Sequence, residues 1–221
     1  MGQEILTPPQ RRFLELFQRE ATLTKSFYLT GGTALAAFYL NHRFSEDLDF
    51  FSEEEASPLA IQTYLKRMKP SLQIHSIDFE QSFNRNLFFL HLKGKKVLKV
   101  EFTFYPFSPI ERRKRIGRLQ VDSLLDIAVN KLFTISQNPR ARDFIDLYFI
   151  LQEKPTSLGG LLKKARIKFD WHIDPIQLGT QMMRVTEVAD YPKMVKALDD
   201  RDWKGFFLKE AKRLEKEIWK S

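Results

Sequence analysis

Asp47 and Asp49 stand two residues apart, with Leu48 between them and an apolar run, Leu48 to Phe51, around them. Side chains on a strand alternate faces, so acids at i and i+2 point the same way, about 7 Å apart. Carboxylates that close repel unless a cation lies between them. Mg²⁺ held by one or two carboxylates together with substrate phosphates meets that need. Upstream, another apolar run reaches a turn at Gly31-Gly32, and a helix-like stretch opens at Thr33 and runs to about Leu40. Glycine lets a backbone approach a ligand closely, and the start of a helix offers free N–H groups to a phosphate. Gly31, Gly32 and Thr33 therefore read as a phosphate cradle beside a metal-binding pair. The bland alternative is an ordinary strand-to-helix turn with two solvated loop acids.

The segments LTGGTALA (29–36) and HRFSEDLDFF (42–51) resemble the first motif of the AbiEii/AbiGii toxin family. Members are nucleotidyltransferases of the DNA polymerase β-type fold and the toxin halves of type IV toxin–antitoxin pairs. The general pattern of that fold is a strand, Gly-Gly or Gly-Ser, about ten residues, and Asp-x-Asp in the next strand. Here residues 33–46 separate Gly32 from Asp47, a longer spacing that fits the family's His-Arg-x-Ser insert. Within the insert, the resemblance implies a phosphate contact for Arg43 and a capping or coordinating role for Ser45.

A third carboxylate is expected on a neighbouring strand, because two metals side by side need more ligands than one Asp pair offers. Glu101, within Lys99-Val100-Glu101-Phe102-Thr103-Phe104, is an acid in an apolar strand and the best candidate, although polymerase β-type enzymes more commonly carry Asp there. Asn130-Lys131-Leu132, followed by Arg140-Ala141-Arg142-Asp143-Phe144-Ile145-Asp146-Leu147, resembles the family's later motifs. The resemblance implies that Lys131 and Asp143 are needed for activity. Lys131 would bring a point charge to the triphosphate or the leaving pyrophosphate, and Asp143 would hold that ammonium in place. Arg140 and Arg142 would bind phosphates of the nucleotide or of a nucleic acid.

These residues must be positioned by a fold that 221 residues can supply as one large domain or two small ones. The chain has 43% hydrophobic and 29% charged residues, as an ordinary globular protein does, and no apolar run approaches the ~20 residues of a membrane span. There is no cysteine and no basic-then-apolar N-terminal order, so the expectation is a cytoplasmic protein without a membrane partner. The four histidines, His42, His75, His91 and His172, have no zinc-site spacing. A formal charge of +8 favours a polyanionic partner. Five of the cations, Arg112, Arg113, Lys114, Arg115 and Arg118, cluster within residues 111–118, which read equally well as a solvated hairpin or an RNA contact.

Periodicity predicts one helix over 8–24, strands at 27–30 and 47–51, a helix over 58–68 broken at Pro70, and a strand over 72–79. Two apolar strands, 87–92 and 97–104, joined by Lys-Gly-Lys-Lys with Gly94 at the turn, read as a hairpin. Beyond it every apolar pattern is helical: 123–136, 143–151, 158–167, 175–184, 191–198 and 203–220, the last with Trp203, Phe206, Phe207, Ala211, Leu214 and Ile218 on one face. The fold class is therefore α+β, a mixed-sheet nucleotidyltransferase domain over 1–120 and a helical domain over 121–221 that completes the cleft. The reading implied is transfer of NMP from an NTP to an acceptor hydroxyl with Mg²⁺ or Mn²⁺. By resemblance the acceptor is RNA, the tRNA 3′ end in some relatives, and a cognate antitoxin accompanies the protein. Transfer to a protein or small molecule is the alternative, and a non-catalytic nucleotide- or RNA-binding module a second one.

Overall fold

The structure, a computed structural model, describes residues 5–218, and side chains only as far as residue 215, so the Ile218 side chain lies outside the described residues. The chain is α+β and forms two compact units. Of the described residues, the first comprises 5–38, 45–108 and 112–123, and the second comprises 39–44, 109–111 and 124–218.

Seven strands make the mixed sheet of the first unit: β1 (Tyr28–Thr30), β2 (Leu48–Ser52), β3 (Ile74–Ser82), β4 (Arg85–Leu92), β5 (Lys96–Phe104), β6 (Lys114–Ile116) and β7 (Leu119–Val121). Their order is β3-β4-β5-β2-β1-β7-β6, with β2–β5 and β1–β7 parallel and the other pairs antiparallel. Alternation gives the sheet two different faces. Phe50 of β2, Phe88 of β4 and Phe102 of β5 are buried on one of them. Helix α1 (Pro8–Phe17) covers that face, Phe17 lying 4.4 Å from the Phe50 ring, and Phe50 stacks on Phe102 at 5.2 Å. Helix α4 (Pro58–Leu72) adds Ile61, Tyr64, Leu65, Met68 and Leu72 to the buried set. The other face carries Asp49 and Glu101.

Some boundaries differ from the periodicity. The first helix stops at Phe17, and α2 (Ala21–Ser26) follows as a separate element. Pro70 does not break α4, which runs two residues further; buried Met68 and Leu72 hold the last turn, and Gln73 closes it in a left-handed conformation (φ 53°). Consequently β3 starts at Ile74 rather than 72. The helix after the turn starts at Gly31 as α3 (Gly31–Leu35) and widens into a π-helical segment, Ala36–Leu40.

The second unit contains α5 (Leu124–Gln137), α6 (Ala141–Glu153), α7 (Leu158–Phe169), α8 (Pro175–Met183) and α9 (Asp200–Ile218). Phe144 of α6 and Phe207 of α9 approach to 4.8 Å, with Trp203 fully buried beside them. The helix expected over 191–198 is absent. That stretch spends its backbone on residues 42–44 instead: Phe44 N donates to Lys193 O, and Val195 N and Lys196 N donate to His42 O. Pro192, which has no N–H to give a helix, sits within it. Among the described residues no helix is long and apolar enough to cross a membrane.

Candidate active site

Thr30, Asp49 and Glu101 are register partners on β1, β2 and β5, the central strands. Paired residues on adjacent strands share a face, so the Asp49 and Glu101 side chains rise from the same side of the sheet. Asp47 immediately precedes β2. Lys99, two residues before Glu101 and thus on its face, donates from Nζ to Asp47 Oδ2 at 3.0 Å, which puts Asp47 on that side too.

The turn is built against Asp49. Gly31 has φ +72°, and a Cβ there would lie 2.4 Å from Asp49 Oδ2. Only glycine takes that conformation without strain and leaves room for the carboxylate. The segment before Asp49 is pinned from both sides. The Thr33 hydroxyl donates to the Asp47 carbonyl, and buried Gln10 donates from Nε2 to the carbonyls of Ser45 (2.9 Å) and Glu46 (3.0 Å). Gln10 does this while completing the capping box of α1 with Thr7. Its type and position in a packing helix gave no sequence signal for the role.

Glu101 is buried and fully engaged. Arg85 of β4 grips it with two bonds, Nε to Oε1 at 2.7 Å and Nη2 to Oε2 at 2.6 Å, and the Thr103 hydroxyl donates to Oε1 at 2.7 Å. Burial pushes the Glu101 carboxyl up, but the Arg85 and Thr103 hydrogen bonds and the nearby Lys99 charge outweigh it and hold the group below its ordinary range. Glu101 is therefore an ionised, oriented carboxylate beside Asp49. Arg85, at the start of β4, and Lys99, within β5, carry no sequence signal for these roles because a single cation in a strand looks like a solvated residue.

The donors on this face are carboxylate oxygens, the set a hard cation prefers. Among the described residues no three His, Cys, Asp or Glu side chains gather closely enough to hold a metal by themselves. Mg²⁺ does not require that, since it binds through one or two carboxylates and completes its shell with water and phosphate. Asp47 and Asp49 fit that demand, with Glu101 committed to Arg85.

The second unit holds a different cluster. Lys131 of α5 donates to Asp143 and Asp146 of α6, 2.7 Å from each. Asp146 also accepts from Arg43 Nε (2.6 Å) and Nη2 (2.8 Å) and pairs with His42 Nε2 at 2.8 Å. Asp143 accepts from Arg140 Nε at 2.9 Å. Asp146, His42, Arg43, Lys131 and Asp143 are all buried, whereas the Arg140 side chain is 45% exposed. Arg140 is the accessible member of this cluster. Arg142 instead faces Asp190, 3.9 Å away. The guanidinium of Arg43, expected at a phosphate, is spent on Asp146 and the Phe44 carbonyl.

Burial opposes charge throughout the cluster, yet the pairing wins. Desolvation raises Asp146 and Asp143, but Lys131 with Arg43 takes Asp146 well below the usual carboxylate range, and Lys131 with Arg140 lowers Asp143. Burial lowers Lys131, but the two aspartates more than restore it, so it stays charged. His42 goes the other way: burial, reinforced by Arg43 and Lys131, outweighs its bond to Asp146 and lowers it. Among the described residues its Nδ1 has no hydrogen-bond partner, as suits a neutral ring that donates through Nε2 alone. Asp146 is the hub that motif reading passed over in favour of Asp143.

The basic run forms the β6–β7 hairpin with Gly117 at its turn (φ +60°). Arg112, Lys114, Arg115 and Arg118 are exposed. Arg113 pairs with Glu53 at 2.7 Å and lies 3.6 Å over the Tyr28 ring, and Lys114 Nζ donates to the Phe38 carbonyl at 3.2 Å.

Residues 14–216 match the family described as "Nucleotidyl transferase AbiEii toxin, Type IV TA system". A similar protein from Aquifex aeolicus, described only as uncharacterized, is 29% identical over 167 residues, 72% of this chain and 77% of the relative. Two crystal structures from Helicobacter pylori share the fold. JHP933 is 20% identical with a TM-score of 0.58, covering 95% of this chain and 91% of that one. A candidate nucleotidyltransferase is 22% identical with a TM-score of 0.60, covering 97% and 98%. The family match spans nearly the whole chain and includes both the Asp49 strand and the Lys131 cluster, so this chain belongs to the AbiEii family of nucleotidyltransferase toxins of type IV toxin–antitoxin systems.

Proposed function

We propose that this protein transfers NMP from an NTP to a hydroxyl of RNA, with the tRNA 3′ end as the acceptor of choice, and does so with Mg²⁺ or Mn²⁺. The observation that carries the reading is Gly31 set against Asp49 beside Glu101: a glycine turn opened for one carboxylate, with a second, oriented carboxylate on the adjoining strand. Asp47 and Asp49 would hold the metal, which when bound would supply positive charge to offset the negative charge that develops on the phosphates. Lys99 and Thr33 fix Asp47, and Gly31 fixes the approach of Asp49. Glu101, kept ionised by Arg85, orients charge beside the reacting phosphate. Lys131 and Asp143 act as a mutually locked pair whose geometry depends on Asp146. The exposed cations at and just before the β6–β7 hairpin, Arg112, Lys114, Arg115 and Arg118, with Arg140 and Arg142, support a polyanionic acceptor. An antitoxin partner and a cytoplasmic setting follow from the same reading.

The test is incubation with each labelled NTP, Mg²⁺ and total cellular RNA, followed by separation of RNA, protein and small molecules. Metal-dependent label in RNA is the expected result. Label confined to protein or to small products would overturn the RNA acceptor while preserving transfer chemistry.

A further inference from the structure

The sheet face opposite Asp49 and Glu101 carries a pocket that none of this chemistry uses. It holds about 190 Å³ and is walled by Phe27, Phe83, Phe102 and Phe104. Small-molecule sites usually measure roughly 300–1,000 Å³, whereas a cavity of about 150 Å³ already takes benzene. The space therefore suits one planar group rather than a nucleotide.

Its polar lining points to a donor-rich, positively charged group. Among the described residues, Glu54 and Glu55 are the charged members of the lining, and no lysine or arginine joins them. Asn86, which lines the pocket and is 8% exposed, has an Oδ1 with no hydrogen-bond partner among the described residues. Two acids, an unsatisfied carbonyl oxygen and aromatic faces on a chain of net charge +8 are the reverse of a phosphate site. A guanidinium presents five donors in a plane, pairs with carboxylates and stacks on aromatic rings.

The surroundings favour a polypeptide as its source. Phe83, at the β3–β4 turn, is 99% exposed and has φ +51°, so a large apolar side chain is offered to solvent in a backbone conformation that disfavours it. Strand β3, which leads into this turn, is the end strand of the sheet, and among the described residues no strand pairs with its outer edge. Such an edge can accept an added strand. We propose that this pocket receives the arginine side chain of an extended segment of a partner protein, the segment lying along β3.

The experiment uses the isotopically labelled full chain and an acetylated, amidated Gly-Ser-Arg-Ser-Gly peptide, read by amide chemical shifts. Parallel titrations use the citrulline-containing peptide, free arginine amide and single-stranded oligouridylate, with wild type and the Glu54→Gln/Glu55→Gln double variant. Shifts at the pocket residues 54–57, 81–86 and 102–104, continuing along β3 over residues 74–82, are expected for the arginine peptide. Binding should weaken about tenfold or more for citrulline and for the double variant, since each removes charge-assisted hydrogen bonds. NTP transfer should be unaffected in that variant. No shift at these residues, or equal binding of arginine and citrulline peptides, would overturn the guanidinium assignment. Free arginine amide binding as tightly as the peptide would replace the protein segment by a small molecule, and oligouridylate moving the same amides would replace it by nucleic acid.

Discussion

Gly31→Ala probes the turn that positions Asp49. The φ of +72° alone costs an L-residue about 1–2 kcal/mol. The new methyl would also meet Asp49 Oδ2 at 2.4 Å and Cγ at 3.2 Å, so the carboxylate must retreat about 0.6 Å to reach the 3.0 Å that real Cβ contacts respect. A 1 Å misplacement at a reacting centre can cost about 10²-fold, so a loss of roughly tenfold to a hundredfold in kcat is expected. The stability loss should be about 2–3 kcal/mol, the strain plus the clash. A cycle with Asp49→Ala separates the two, because removing the carboxylate relieves the clash and leaves the strain. Urea unfolding of all four proteins should show Gly31→Ala costing about 1 kcal/mol less in the Asp49→Ala background. Equal cost in both backgrounds, or unchanged transfer by Gly31→Ala, would refute the idea that this glycine exists to admit Asp49.

Two further predictions concern the second unit. Lys131→Met leaves Asp143 and Asp146 buried with one cation fewer, which should cost about 3 kcal/mol, moderated by Arg43 and Arg140; an unchanged urea midpoint would mean that the ammonium does not stabilise the pair. His42 has a lowered folded-state pKa, so its contribution to stability is present above the ordinary value of about 6.5 and is lost as pH falls through the window below it. Asp143 and Asp146, also lowered, add a second loss only once pH drops below about 3.9. Denaturant titrations from pH 7.5 to 5 should therefore show a decline in wild type that His42→Gln abolishes, and an identical decline in both would assign the effect elsewhere.

How legible this protein is in its sequence depends on whether a feature is local. Strand alternation around Phe50, Phe88 and Phe102 separates the packed face from the acidic one, and the short hairpin turn at Gly94 sets the β4–β5 register. Both are near-neighbour effects, so both can be read. The grip of Arg85 on Glu101 joins residues on two strands, and Lys99 reaches Asp47 across 52 positions of chain. Neither leaves a periodic trace. The Asp146 hub joins residues more than a hundred positions apart, through His42 and Arg43. The missing helix at 191–198 has the same origin, since an apolar helical pattern yields when its backbone groups find partners at residues 42–44. Pro70 errs in the opposite sense, because burial of its neighbours outweighs its local preference.

The central claim is that Asp49 does chemistry rather than hold the fold together. Asp49→Asn keeps the shape of the side chain and removes its charge, so metal-dependent transfer of labelled NMP should fall by on the order of 10³-fold or more, as loss of a metal-holding charge at a phosphoryl centre demands. Unfolding free energy, measured on the same sample, should stay within about 1 kcal/mol of wild type. Transfer at the wild-type rate, or a lost activity accompanied by a lost cooperative melt, would contradict the account.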